Sequence, residues 1–163
     1  MKNELIDSFQ LRVHDESYER INKCLAMLSE DQVWYSPDET IPTIGNLILH
    51  LCGNVRQWIL TGVGERTGHR ERDSEFELGS RTSKEELQNL MKDLSAEVNE
   101  YFQDITSEDL YKEIVVQGFK VTGFSAVVHV IEHFSYHTGQ ITTLTKLMTG
   151  KETNYFQDVD LNK

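Results

Sequence analysis

Four long stretches of this chain carry apolar residues three and four positions apart, the period of one helical face, and both prolines fall in the gap between the first two. In the first stretch Leu5, Phe9, Val13, Ile21, Leu25 and Leu28 recur with no proline or glycine among them. The polar segment Ser36 to Thr40, with Pro37 inside it and Pro42 just beyond, reads as a connection. Thr43 then suits the N-cap of a second helix whose stripe is Ile44, Leu47, Ile48, Leu51, Val55, Trp58 and Ile59, ending near Gly62. Thr82 and Glu85 have the spacing of a capping box before a third stripe, Leu87, Leu90, Met91, Leu94, Val98 and Phe102. The fourth runs from Phe124 to Met148, bounded by Gly123 and by Gly150 as the C-terminal stop. Each stripe must be buried against another, so the expected fold is all-α, a four-helix bundle. Residues 1–163 are expected to make one domain, because domains usually hold roughly 100 to 200 residues.

Two segments depart from the helical period. Gly62 to Arg81 holds four glycines and many charges, and a long connection of this kind is uncommon in a compact domain unless it has a task. Its plainer reading is a solvated crossover, and its sharper one a segment shaping the entrance to a site. Glu113 to Val121 places Gly118 between two β-rich pieces, Ile114-Val115-Val116 and Phe119-Lys120-Val121, which predicts a small β-hairpin before the last helix.

Charge excludes some partners. Lys and Arg number 16 against 27 Asp and Glu, a formal net charge of -11, which repels phosphate backbones and anionic lipid, so neither nucleic acid nor a membrane surface is an expected partner. Acidic residues stand at the N-terminus where an export signal needs a basic region, and the longest apolar run, Ile44 to Leu51, is broken by Gly45, Asn46 and His50. Cys24 and Cys52 are too few for a disulfide framework and sit in apolar helical patterns as small hydrophobes. A cytoplasmic location is the expectation.

The chemistry concentrates in histidines. His129, His133 and His137 are spaced four apart, which brings successive imidazoles onto one side of a helix, the arrangement two ligands of one metal ion need. His129-Val130-Ile131-Glu132-His133 matches the H-x-x-E-H pattern of inverted zinc peptidases, but those require a further acidic ligand downstream, where Glu152 is the sole later glutamate. On a helical wheel the apolar residues Phe124, Val127, Ile131, Phe134, Ile141 and Met148 set a core direction. His137 lies nearest to it, His133 on its flank, and His129 nearly opposite, so His133 and His137 are the better ligand pair and His129 is expected in solvent. His50 is the histidine on a different amphipathic helix, at the flank of its own stripe, and completes a set of three. His14 lies among charged neighbours and His69 in the irregular segment. Glu132 reads as solvated, Arg56 as a surface ion pair, and Gln140, one turn past His137, as a local hydrogen-bonding partner able to orient an imidazole. The same spacing also arises where polar residues simply border a core.

The segment His133-Phe134-Ser135-Tyr136-His137-Thr138-Gly139-Gln140-Ile141 resembles the H-x-x-x-H-x-G-Q-I signature of the DinB/YfiT-like metalloenzyme family, and His50 matches that family's helix-two histidine. The order of elements and the segment Glu71-Arg72-Asp73-Ser74-Glu75-Phe76 also look like a bacterial branch of it, so the resemblance covers nearly the whole chain. It implies a four-helix bundle, often a homodimer, holding a divalent ion such as nickel or zinc on His50, His133 and His137, completed by water. Relatives include thiol S-transferases using bacillithiol or mycothiol and a thiol-dependent maleylpyruvate isomerase. The resemblance therefore implies a thiol S-transferase, with a small-molecule thiol and an electrophile as partners. A metal-dependent hydrolase and a non-catalytic metal-binding stress-response module are the alternatives, because one fold hosts many functions.

Overall fold

The computed structural model describes residues 1–76, 82–157 and 159–160. Among them, four long helical stretches form the bundle that the apolar periodicity predicts. In the first, α1 (Lys2–Phe9) passes into a π-helical segment, Gln10–Tyr18, and then into α2 (Glu19–Met27). The wider π turn lets Val13 and Tyr18 both face the core, and Ser17 Oγ donates to the Arg12 carbonyl five residues back at 2.7 Å. A short helix, α3 (Glu30–Val33), begins at a Ser29–Gln32 capping box and is too brief to show a period in the sequence.

The second stretch joins α4 (Ile44–Val55) to a further π-helical segment, Arg56–Val63. Thr43 is its N-cap, as its sequence suggests, and forms a reciprocal box with Asn46. The third is α5 (Lys84–Asp104), whose buried stripe is Leu87, Met91, Leu94, Val98 and Phe102. Its capping box is displaced by one residue from the expected Thr82 and Glu85: Ser83 and Glu86 form it. The Thr82 carbonyl is taken by Trp34 Nε1 at 2.9 Å, so the first carbonyl to accept within the helix is that of Ser83, from Leu87 N. A second short helix, α6 (Ser107–Tyr111), follows on a Thr106–Asp109 box.

The hairpin forms as β1 (Glu113–Val116) and β2 (Phe119–Thr122), antiparallel with Val116 opposite Phe119, and Gln117 and Gly118 both at positive φ in the two-residue turn. It leads into α7 (Gly123–Thr149), 27 residues and about 40 Å long, which Gly150 ends in the left-handed conformation that a glycine adopts without strain. The π-helical segment of the first stretch, α2 and the second stretch all pack against α7. Phe9, Ile21, Leu25, Ile48, Leu51, Leu94 and Phe134 are among the fully buried residues between them. Among the described residues no helix is long and apolar enough to cross a membrane.

One histidine serves this core. His14, placed by its sequence among charged neighbours, instead turns inward: its ring meets Phe9 and Tyr18 edge-on at 5.4 and 5.0 Å, and Nδ1 bonds Ser95 Oγ at 2.8 Å. Burial pushes its pKa from 6.5 down to about 4, against a weaker upward pull from Asp15. The unfolded chain therefore binds more protons than the folded one between these values, so stability falls as pH drops through 6.5 and the loss is complete below about 4. The His14→Gln variant is expected to show a shallower decline of Tm across this window than the parent. An identical slope would assign the acid sensitivity to other groups.

Candidate metal centre

The site begins on α4, one turn beyond its cap. Asn46 Nδ2 donates to the Glu75 carbonyl at 2.8 Å, which ties the 3₁₀ turn Arg72–Phe76 to the start of α4. Glu75 then directs its carboxylate at the next turn of that helix, where Oε2 accepts from His50 Nδ1 at 3.0 Å. The same carboxylate receives Arg70 Nε on Oε1 at 2.6 Å and Arg70 NH2 on Oε2 at 2.7 Å, a bidentate pair in which both side chains are at most 10% exposed. Burial raises the Glu75 pKa, but hydrogen bonds and charge from Arg70 and His50 prevail and leave it lowered, so Glu75 is a carboxylate. This pair lies directly against Gly53, where an added Cβ would collide with Glu75 Oε1 and Arg70 Nε. Phe76 closes the other side of the imidazole, its ring centroid 5.1 Å from that of His50.

A carboxylate can only accept, so Glu75 Oε2 at 3.0 Å selects the Nδ1–H tautomer of His50 over the longer approach of Arg70 NH2 to the same nitrogen at 3.2 Å, and Nε2, which faces α7, then presents its lone pair. His133 Nε2 lies 2.9 Å from it, and the His137 ring stands 5.1 Å from His50 and 4.4 Å from His133. His137 is held in the same sense as His50: its Nδ1 donates to Gln140 Oε1 at 2.6 Å, leaving Nε2 free to accept. One nitrogen from each of the three rings lies within 4.8 Å of the others. Two ligands of one ion at about 2.0 to 2.1 Å stand roughly 3 to 3.5 Å apart, so the cluster has the span of a metal site. His50 is buried and the other two are half-buried. Burial pushes the His133 pKa down to about 3, assisted by His137, His50, His129 and Arg70, and burial also lowers that of His137 against the opposing bond from Gln140. His133 and His137 are therefore neutral near pH 7, the state in which imidazole binds metal. Two imidazole nitrogens 2.9 Å apart need a proton or a cation between them, and three converging ring nitrogens fit a divalent ion. The three histidines are positioned to bind one.

The sequence pattern of a family described as Protein of unknown function (DUF1572) matches residues 2–158. The chain belongs to the DUF1572 family. No curated protein matches it in sequence. Among solved structures, a conserved protein from Enterococcus faecalis superposes with a TM-score of 0.72 at 18% identity, covering 88% of this chain and 96% of that one. A DinB-like protein of Bacillus subtilis, YjoA, gives 0.66 at 21% identity, over 91% and 94% of the two chains. The mycothiol-dependent maleylpyruvate isomerase gives 0.62 at 16% identity, over 84% of this chain and 60% of that one. At these identities the likeness shows the fold, a DinB-like helical bundle.

This DUF1572 chain brings together His50, His133 and His137, the three histidines expected from the sequence, and leaves the others out. His69 is exposed, near Glu71, and Cys52 is buried with its thiol pKa pushed up to about 12, so it stays protonated. Glu132 is exposed, which removes the base an inverted zinc peptidase would need, and Arg56 pairs with Glu97 at the surface. His129 is a correction: the helical wheel sends it to solvent, but it is half-buried. A core direction drawn from α7 alone omits the second stretch, whose Trp58 covers this flank with ring centroids 4.0 Å apart while Asn54 Nδ2 donates to His129 Nε2 at 3.3 Å. His129 also stacks on His133 at 5.3 Å, so it supports a ring of the cluster without joining it. Sequence reasoning missed Arg70 and Glu75. Their signal was the length of the Gly62 to Arg81 connection: within its described part Arg70, Glu75 and Phe76 dock on the site while Glu71 to Ser74 are exposed, and 77–81 lie outside the described residues.

Proposed function

We propose that this protein is a metal-dependent thiol S-transferase, with nickel or zinc on His50, His133 and His137 and a low-molecular-weight thiol as the nucleophile. The observation that carries the reading is the donor set: three imidazoles converge, while the carboxylate bonded to one of them, Glu75, is committed to Arg70 and His50. A divalent ion held by His50, His133 and His137 would keep its full charge, because imidazole is a neutral ligand, and would supply the Lewis acidity that favours the thiolate form of a thiol. The thiol releases its proton, its sulfur forms a bond to the electrophilic carbon, and the displaced group leaves with the bonding pair or the proton returns to an adduct. No nucleophile from the protein is required.

The chain's own part is to hold the rings and shape the approach. Gln140 fixes His137, and Tyr136, whose OH accepts from Gln140 Nε2 at 3.4 Å, stands edge-on to that ring. Beside them a largely apolar cleft of about 470 Å³, lined by Leu47, Tyr136, Gly139, Gln140 and Leu144, offers room for the body of a small substrate. The fold shared with the mycothiol-dependent maleylpyruvate isomerase is consistent with thiol chemistry.

The test is titration of the cobalt-substituted protein with cysteine at pH 7. A new near-ultraviolet sulfur-to-cobalt band, with about one proton released per thiol bound, is expected. A spectrum indifferent to thiol, in a protein whose loaded form cleaves an activated ester, would replace this reading with the metal hydrolase.

A further inference from the structure

We infer that the buried Arg70–Glu75 ion pair positions His50 for metal binding: Glu75 sets the tautomer and rotation of the imidazole, while Arg70 keeps Glu75 out of the ligand set. The inference rests on reading His50, His133 and His137 as a metal site. Imidazole ligands commonly donate their second N–H to a carboxylate, which fixes which nitrogen faces the ion. Here that carboxylate reaches in from a loop twenty-five positions away in sequence, and it is fully engaged. Arg70 holds both of its oxygens, and the guanidinium is itself anchored by Gln57 Oε1 at 2.8 Å and the His50 carbonyl at 3.3 Å. Carboxylate oxygen is itself a good ligand for divalent ions, so an unrestrained Glu75 beside the cluster would compete with His50 for the metal or for the space. The fork geometry of Arg70 removes that freedom.

Three details argue that the pair is more than a contact holding a loop down. Burying two charges costs desolvation that an apolar pair of the same volume would avoid, so a buried pair is better explained by orientation than by stability. The turn carrying Glu75 is fastened by its own backbone to Asn46, one helical turn before His50, so the carboxylate and the ring it orients share one rigid frame. Gly53, one turn after His50 in the same helix, leaves bare backbone where any side chain would displace the carboxylate. The strap Arg70–Phe76 is in this sense part of the metal site although it supplies no ligand.

The experiment compares two double variants that each remove both buried charges. Arg70→Met with Glu75→Gln keeps an oxygen able to accept from His50 Nδ1–H, whereas Arg70→Met with Glu75→Met does not. Zinc affinity is measured by competition with a chelator, alongside Tm of the metal-free proteins and nitrogen-15 NMR of the histidine tautomers. The Met/Met variant is expected to bind zinc about 10 to 100-fold more weakly than the parent, and the Met/Gln variant within a few-fold of it. Metal-free His50 should be the Nδ1–H tautomer in the parent and in Met/Gln, and should shift toward Nε2–H in Met/Met. Parent-like zinc affinity and an Nδ1–H His50 in a folded Met/Met variant would overturn the positioning role. A parent protein that binds no zinc would instead overturn the metal reading on which it rests.

Discussion

Alanine at His50, His133 or His137 is expected to reduce bound metal from near one equivalent to background, while alanine at His129 leaves it close to the parent level. The measurement is elemental analysis of protein purified without a histidine tag and loaded under metal-replete conditions. Each of the three supplies one of the converging nitrogens, and two ligands without the third leave an ion mostly in water, so the loss should exceed the 10 to 100-fold that an outer partner costs. The variants are informative because the rings contribute differently to the fold. His50 is 6% exposed, and its removal leaves Glu75 still paired with Arg70, so metal-free H50A should stay folded. His129 is the discriminating control. It is the nearest histidine outside the cluster, stacked on His133, and its Nε2 is occupied by Asn54. Metal lost from H129A but kept in H137A would make His129 and His133 the ligand pair and return the peptidase-like spacing to consideration.

The bundle and the cluster of His50, His133 and His137 were legible in the sequence for the same physical reason. Long helices bury one face, and a stripe of Leu87, Met91, Leu94 and Val98, or a histidine pair four apart, is a local pattern that the helical period alone makes visible. The features that were hidden depend on contacts between distant segments. Ser83 rather than Thr82 caps α5, with Glu86 as its partner, and the Thr82 carbonyl instead accepts from Trp34, far away in sequence. His14 is drawn inward by Phe9, Tyr18 and Ser95 despite its charged neighbours. His129 is covered by Trp58 from another helix, which no wheel drawn on α7 can register. The π-helical segments shift the register of the first two stretches without breaking them, so periodicity sees one helix where the hydrogen bonding changes. Arg70 and Glu75 are charged residues in a glycine-rich loop, and nothing local distinguishes them from solvated ones. Only their convergence on His50 gives them a role.

Phe134→Ala is expected to destabilise the protein by about 3 to 5 kcal/mol, lowering Tm by roughly 6 to 20 °C, without lowering metal stoichiometry in the fraction that remains folded. Phe134 lies between His133 and His137 in sequence but is fully buried, and its ring meets Tyr18 of the first helical stretch at 5.5 Å. His133 and His137 flank it on the side that meets His50 on α4. The two directions of α7 thus divide its work: one packs on the first stretch and carries stability, the other meets α4 and carries the site. Replacing a fully buried phenylalanine by alanine opens a cavity that close-packed neighbours fill only in part, which is why the loss exceeds that of the transferred surface alone. The prediction is checked by thermal denaturation together with zinc titration below the variant's transition. A Tm within a degree or two of the parent would mean that this face of α7 is not the one packed on Tyr18. A folded variant that had lost its zinc would show that packing behind the helix, and not only the Glu75 and Gln140 bonds, holds the imidazoles in place.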